Sequence, residues 1–194
     1  MTYVRVKMQI DKDTQILIDE RLKNNAPALE SFTPQELRAL RAKMAETPLE
    51  LRVDISDVED LSVKGTLGDI PIRKYFNSST SDPKHKTSPL IIYFHGGGFV
   101  MGDLESHDLV CRHLCKEAKA TIIAVDYKLA PEHKFPAPVI DTKDAITKIL
   151  ERAEEFNFDP NKVILCGDSA GGTLATVGTI MSRDNVIPKV HGQI

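Results

Sequence analysis

Apolar positions recur along this chain with three different spacings, and each change of spacing marks a change of element. Residues 11–24 place Ile16, Leu17 and Leu22 among charged side chains, and Leu37, Leu40 and Met44 then return every three or four positions. That spacing predicts two amphipathic helices whose narrow apolar stripes need a partner surface. The second has a marked start, because Thr33-Pro34-Gln35-Glu36 is a capping box with proline at the first helical position. From about residue 50 the period shortens. Leu51–Val63 and Ile70–Phe76, separated by Gly65 and the pair Gly68-Asp69, predict a β-hairpin. Residues 77–89, polar and interrupted by Pro83 and Pro89, read as a solvated connector.

Beyond the connector, short continuous apolar runs alternate with helical patterns. The runs are Leu90–Phe94, Thr121–Val125 and Val163–Cys166, and helices are predicted over about 106–119, 138–155 and 170–182. Strands that are apolar on both faces and alternate with helices imply a mostly parallel sheet covered on both sides, an α/β fold. Two regions follow: a helical segment over 1–50 and an α/β core over 51–194. In such sheets ligands sit beyond the carboxyl ends of the strands. The loops after Phe94 and Cys166 are therefore the places to look for chemistry.

Composition narrows the function. The chain has 194 residues, 41% hydrophobic and 27% charged, which is ordinary for a globular domain with a core of its own. A formal charge of -3, with no Lys/Arg run longer than two, gives no basic field for a phosphate backbone and argues against nucleic acid as a partner. The three cysteines, Cys111, Cys115 and Cys166, are odd in number and lack the companion ligands of a metal site, so free thiols in a reducing compartment are expected. No stretch approaches 18 apolar residues and residues 1–15 lack the apolar run of a secretion signal, so the expected location is cytoplasmic, with no transmembrane segment.

Gly167-Asp168-Ser169-Ala170-Gly171 follows a predicted strand and opens a predicted helix, the setting in which G-x-S-x-G holds a nucleophilic serine. The bare pattern arises by chance about once in fifteen chains of this length, so the strand and helix around it carry much of the inference. Side chains two residues on either side of so tight a turn would collide with neighbouring chain, which is why glycines flank the serine. The second loop, His95-Gly96-Gly97-Gly98, follows the strand ending at Phe94. An acyl-transfer enzyme must stabilise an oxyanion, and backbone N–H groups reach it only where side chains do not block the approach. A third segment, Asp126–Pro138, holds Tyr127, Glu132 and His133 among three prolines. It reads as a rigid loop under the site floor in preference to a source of acid and base.

These segments resemble one family. His95-Gly96-Gly97-Gly98-Phe99, Asp126-Tyr127-Lys128-Leu129-Ala130-Pro131-Glu132 and Gly167-Asp168-Ser169-Ala170-Gly171-Gly172 are similar, in order, to the signatures of the hormone-sensitive lipase family of α/β-hydrolase esterases, of the bacterial family IV type. The likeness spans about residues 55–194, and the helical start resembles the N-terminal part of that family's cap. It implies Ser169 as nucleophile, the N–H groups of Gly97, Gly98 and Ala170 as oxyanion hole, and His95, Gly96 and Asp168 in support. It also implies a small ester of short to medium acyl chain as substrate, and no metal or organic cofactor. Lys128 stands where the family usually has arginine, which puts a bidentate contact there in doubt.

A serine nucleophile needs a base and an acid to orient it, and in α/β-hydrolases these follow the serine. After Ser169 the chain offers Asp184 and His191. A helix from the serine at about 1.5 Å per residue carries Asp184 roughly 20 Å away, and His191 precedes what reads as a strand start at the far end of the sheet. The expectation is that this is the N-terminal portion of a longer esterase whose acid and histidine lie past residue 194. On this reading the missing C-terminal half is a partner for the exposed sheet edge, and a homodimer is a further assembly to consider. Two rivals stand beside ester hydrolysis: a non-catalytic small-molecule receptor on the same fold, and another serine acyl hydrolase such as an amidase or peptidase.

Overall fold

The computed structural model describes residues 10–24, 27–28, 31–44, 51, 53–78 and 87–194. They fall in two units, Met1–Thr33 and Pro34–Ile194. In the first, α1 (Lys12–Lys23) starts where the Asp11 side chain accepts the N–H of Asp13, and Ile16, Leu17 and Leu22 are exposed. The second unit opens with α2 (Pro34–Met44). The two helices expected as a pair thus belong to different units. The expected connector lies outside the described residues except at 77–78 and 87–89, as does the continuation of α2 toward residue 46.

The second unit is built on a six-stranded sheet in the order β1-β2-β4-β3-β5-β6. Its strands are β1 (Asp57–Gly65), β2 (Gly68–Phe76), β3 (Ser88–Phe94), β4 (Thr121–Val125), β5 (Phe158–Gly167) and β6 (Gly192–Gln193). The hairpin β1–β2 closes over the two residues between Gly65 and Gly68, and β2 runs antiparallel to β4. The remaining pairs are parallel. The first strand begins at Asp57, not Leu51, while β5 begins five residues before the apolar run Val163–Cys166. That early segment escapes an apolar count because Asp159-Pro160-Asn161-Lys162 is polar and turn-forming, with Asp159 accepting the Asn161 N–H. Pro89, which has no N–H to give the ladder, sits at the register shift between Ser88 and Leu90 on the neighbouring strand.

Alternation along the central strands sends side chains to two cores. Leu90, Ile92, Phe94, Ile123, Val125, Val163 and Leu165 face one side, with α4 (Ala137–Leu150) and α6 (Ala170–Arg183) contributing Ala145, Ile146, Ile149 and Leu174. Ile91, Tyr93, Ile122, Ala124 and Cys166 face the other, where α3 (Asp108–Glu117) brings Cys111 and Cys115. Each fully buried aliphatic side chain is worth about 1.5–3 kcal/mol, so the two cores fix which helix lies on which face. All three cysteines are buried free thiols. The helix expected over 138–155 is interrupted: α4 ends at Leu150, and α5 (Ala153–Phe156) follows after Arg152 turns to bind the Ser62 carbonyl and stack on Phe156. Among the described residues no helix is long and apolar enough to cross a membrane.

This wiring decides where a site can form. From β3 the chain passes through α3 to β4 on one side of β3; from β4 it crosses by α4 to β5 on the other. The loops leaving β3 and β5 therefore diverge to opposite faces, and a crevice opens between their carboxyl ends, where Phe94 lies opposite Gly167.

Candidate active site

At the end of β5 the chain turns into α6 within two residues, Asp168 and Ser169. Ser169 makes that turn at φ 54 and ψ -115, a left-handed conformation that costs a non-glycine residue about 1–3 kcal/mol and persists only when neighbours fix it. Gly171 is the neighbour that permits it. A Cβ there would fall on the carbonyl of Phe94 and 2.7 Å from that of His95, so α6 packs directly against the start of the glycine loop. Because of its turn, Ser169 occupies the N-cap of α6 without capping it: its side chain makes no cap hydrogen bond and the residue is exposed. A hydroxyl at the positive end of a 14-residue helix is placed where developing negative charge is favoured.

The facing loop is held in an equally unusual shape. Gly97, Gly98 and Phe99 have φ of 127, 64 and 62. At Gly97 only glycine fits, since a Cβ would strike the carbonyl of Met101. The N–H groups of Val100 and Met101 both close back onto the Gly97 carbonyl, at 3.1 and 3.0 Å. Among the described residues no acceptor takes the N–H of Gly97, Gly98 or Ala170. Three donors are thus unused among the described residues, in the two loops that also hold the exposed Ser169.

Asp168 ties the two loops together. Its Oδ1 accepts the Gly96 N–H at 2.9 Å and the Tyr93 hydroxyl at 2.8 Å, and His107 Nε2 lies 3.3 Å away. Burial opposes ionisation of this carboxyl, but the Tyr93 hydroxyl, the His107 ring and the Gly96 N–H outweigh it and hold Asp168 below the ordinary carboxylate range. Tyr93 and His107 were not legible as site residues; a tyrosine hydroxyl inside an apolar strand, which must find a partner when buried, was the available signal.

His95 is buried beneath the loop. Its ring stacks on Tyr127 with centroids 4.3 Å apart, its Nδ1 lies 2.8 Å from the Gly96 carbonyl, and the Tyr127 hydroxyl donates to the His95 carbonyl at 2.6 Å. Burial pushes its pKa down, so the ring rests neutral. Asp126 lies 3.8 Å from His95 Nε2, and burial lifts its carboxyl to about 6.

The Asp126–Pro138 segment is pinned at several points. The Lys128 N–H donates to the fully buried Asp141 at 2.9 Å, while the Lys128 ammonium stands 3.4 Å from both carboxylate oxygens. Glu132 is engaged by Arg38 of α2 through both oxygens, at 2.8 and 2.9 Å. Asp184 caps the far end of α6 against Arg183, and His191 Nδ1 accepts the N–H of Val163, the opposite end of the β5 core from Ser169. Neither is near the serine. An apolar pocket of about 410 Å³, lined by Phe99, Phe135, Pro138, Val139, Thr173 and Val177, opens between the glycine loop and the first turns of α6.

Comparison with known proteins fits this geometry. A family model described as the alpha/beta hydrolase fold matches residues 91–194. The chain is 37% identical to the esterase LipI of Mycobacterium tuberculosis over 81% of its own length and 49% of that protein. Among solved structures, a hyperthermophilic esterase from the archaeon Pyrobaculum calidifontis is 37% identical with a TM-score of 0.77, covering 84% of this chain and 52% of that one. An ester hydrolase from the metagenome of Lake Arreo superposes with a TM-score of 0.82 at 32% identity, over 94% of this chain and 57% of the other. The chain spans about half the length of the curated relatives it matches.

Proposed function

The chain belongs to the alpha/beta hydrolase family, in its hormone-sensitive lipase-like branch, and from that premise we propose that it supplies the nucleophile and oxyanion hole of a carboxylic ester hydrolase. Ser169 Oγ attacks the ester carbonyl carbon, the C=O π pair moves onto oxygen, and that oxyanion is received by the N–H groups of Gly97, Gly98 and Ala170. Collapse expels the alcohol and leaves an acyl-Ser169 ester, which water then cleaves. The observation that carries this reading is the exposed, uncapped hydroxyl at φ 54 beside three N–H groups that no described residue accepts.

His95 is a support in this scheme. It is buried, stacked on Tyr127 and committed to Gly96, and the base that takes the serine proton, with the acid that orients it, is placed past residue 194 in this proposal on the strength of the family resemblance. The apolar pocket beside Thr173 and Val177 accommodates the substrate's hydrocarbon part, consistent with short to medium acyl chains. Three free buried thiols fit a cytoplasmic protein.

The test is hydrolysis of p-nitrophenyl esters from acetate to decanoate by the protein at its natural length, with Ser169→Ala beside it. Turnover should vanish in the variant while its circular dichroism is retained. Undiminished hydrolysis by Ser169→Ala overturns the proposal.

A further inference from the structure

Three consecutive residues with positive φ, Gly97, Gly98 and Phe99, form the turn that presents the proposed oxyanion donors, and the last of them carries a bulky side chain. Such a turn does not hold itself; something outside must over-determine it. Its internal bonds use only the Gly97 carbonyl. Two carbonyls further along the turn are taken from outside: Phe99 O accepts the Ala130 N–H at 2.8 Å, and Val100 O accepts Arg38 Nε at 2.7 Å. Arg38 Nη2 also donates to the Ala130 carbonyl at 2.8 Å. A single guanidinium on α2 therefore grips both ends of the brace, Val100 in the turn and Ala130 in the segment that supports Phe99. Glu132, on the same segment, aims the fork by binding Nη1 and Nη2. No other side chain type reaches three acceptors in one plane in this way.

We infer that Arg38 is a positioning residue for the oxyanion hole: the second turn of α2 sets the orientation of the Gly97–Met101 turn, and with it the aim of the Gly97 and Gly98 N–H groups. This rests on the function proposed above. The reason it bears on rate is that such donors act on the transition state, where removing one entirely costs on the order of a hundredfold to a thousandfold. Misaiming them costs part of that.

The experiment uses the protein at its natural length, with Arg38→Met, Arg38→Lys and Glu132→Gln, assayed well below each variant's melting temperature. Arg38→Met is expected to lower kcat about 10- to 100-fold with KM changed less than threefold, equally for acetate and octanoate esters. Arg38→Lys is expected to rescue little, since one ammonium replaces at most one of the carbonyl bonds. Glu132→Gln keeps both carbonyl bonds but loses one of the two acceptors that aim the fork, and is expected to lower kcat by less than Arg38→Met does. Inhibition by an alkyl trifluoromethyl ketone, whose hemiketal oxyanion occupies the same donors, is expected to weaken across the series in proportion to kcat/KM. Wild-type kcat in Arg38→Lys, or ketone affinity that does not follow kcat/KM, overturns the inference. If instead Ser169→Ala retains activity, it is the proposed function that falls.

Discussion

The carboxylate of Asp168 and the backbone N–H of Gly96 are joined by a 2.9 Å hydrogen bond that spans the crevice between the ends of β5 and β3. A Cβ on Gly96 would meet this carboxylate, so the glycine is what lets the two loops approach so closely. The residue beside the nucleophile thus fixes the start of the loop that faces it.

Replacing Asp168 by Ala should therefore lower kcat at least tenfold and cost about 1 kcal/mol of stability, a value reduced because the side chain is half exposed. The pH dependence has a definite sign. A carboxyl held below its ordinary value contributes fully above the unfolded-state value and loses that contribution as pH falls through its lowered folded value. Denaturant unfolding of wild type and Asp168→Ala should diverge at pH 7 and converge in strong acid; a gap that widens in acid contradicts the account.

Gly171 and Gly172 provide a graded test of elbow packing. A Cβ at Gly171 falls on the Phe94 carbonyl, which is locked in the sheet and cannot retreat, whereas at Gly172 it comes 3.1 Å from the Gly167 carbonyl. Gly171→Ala should destabilise by about 3 kcal/mol or more and Gly172→Ala by about 1, measured by urea unfolding. Equal losses would mean that the elbow relaxes as a unit.

Much of this was legible in the sequence, and for an identifiable reason. The apolar runs of β3, β4 and the second half of β5 are buried on both faces, so packing leaves an unbroken signature; the glycines at 96, 97, 167 and 171 mark close approaches that no other residue permits. Signals failed where polar chemistry does structural work. The first part of β5 hides behind Asp159–Lys162, α4 ends where Arg152 leaves to bind Ser62, and Tyr93, His107 and Arg38 act through partners 61 to 94 positions away, which no local period records.

Asp126 gives a second pH signature, opposite in sign. Burial lifts its carboxyl to about 6, with Asp103 adding to the shift and Arg73 opposing it. The folded state then holds a proton that the unfolded state releases near pH 4, so stability falls as pH rises from about 4 to about 6 and levels off above. About 1–2 kcal/mol is at stake, discounted because a third of the side chain is exposed. Asp126→Asn should flatten this slope in unfolding measured across pH 4–7. An unchanged slope would assign the titration elsewhere.

Lys128 meets Asp141 in a geometry that an arginine would improve. Asp141 is fully buried, its firm bond is to the Lys128 backbone N–H at 2.9 Å, and the ammonium hangs 3.4 Å from both oxygens, too far for a strong hydrogen bond to either. A guanidinium presents two parallel N–H groups to two oxygens and is less costly to desolvate. Lys128→Arg should stabilise the protein by about 0.5–1 kcal/mol. Lys128→Met keeps the stem and the backbone bond but leaves a buried carboxylate without its counter-charge, and should cost about 2–4 kcal/mol. Because this pair secures the segment that carries Ala130 and Glu132, the methionine variant should also lose activity toward esters at temperatures where it remains folded, while the arginine variant keeps it. If arginine destabilises instead, the cavity beside Asp141 is too small for a fork, and the lysine there is a packing choice.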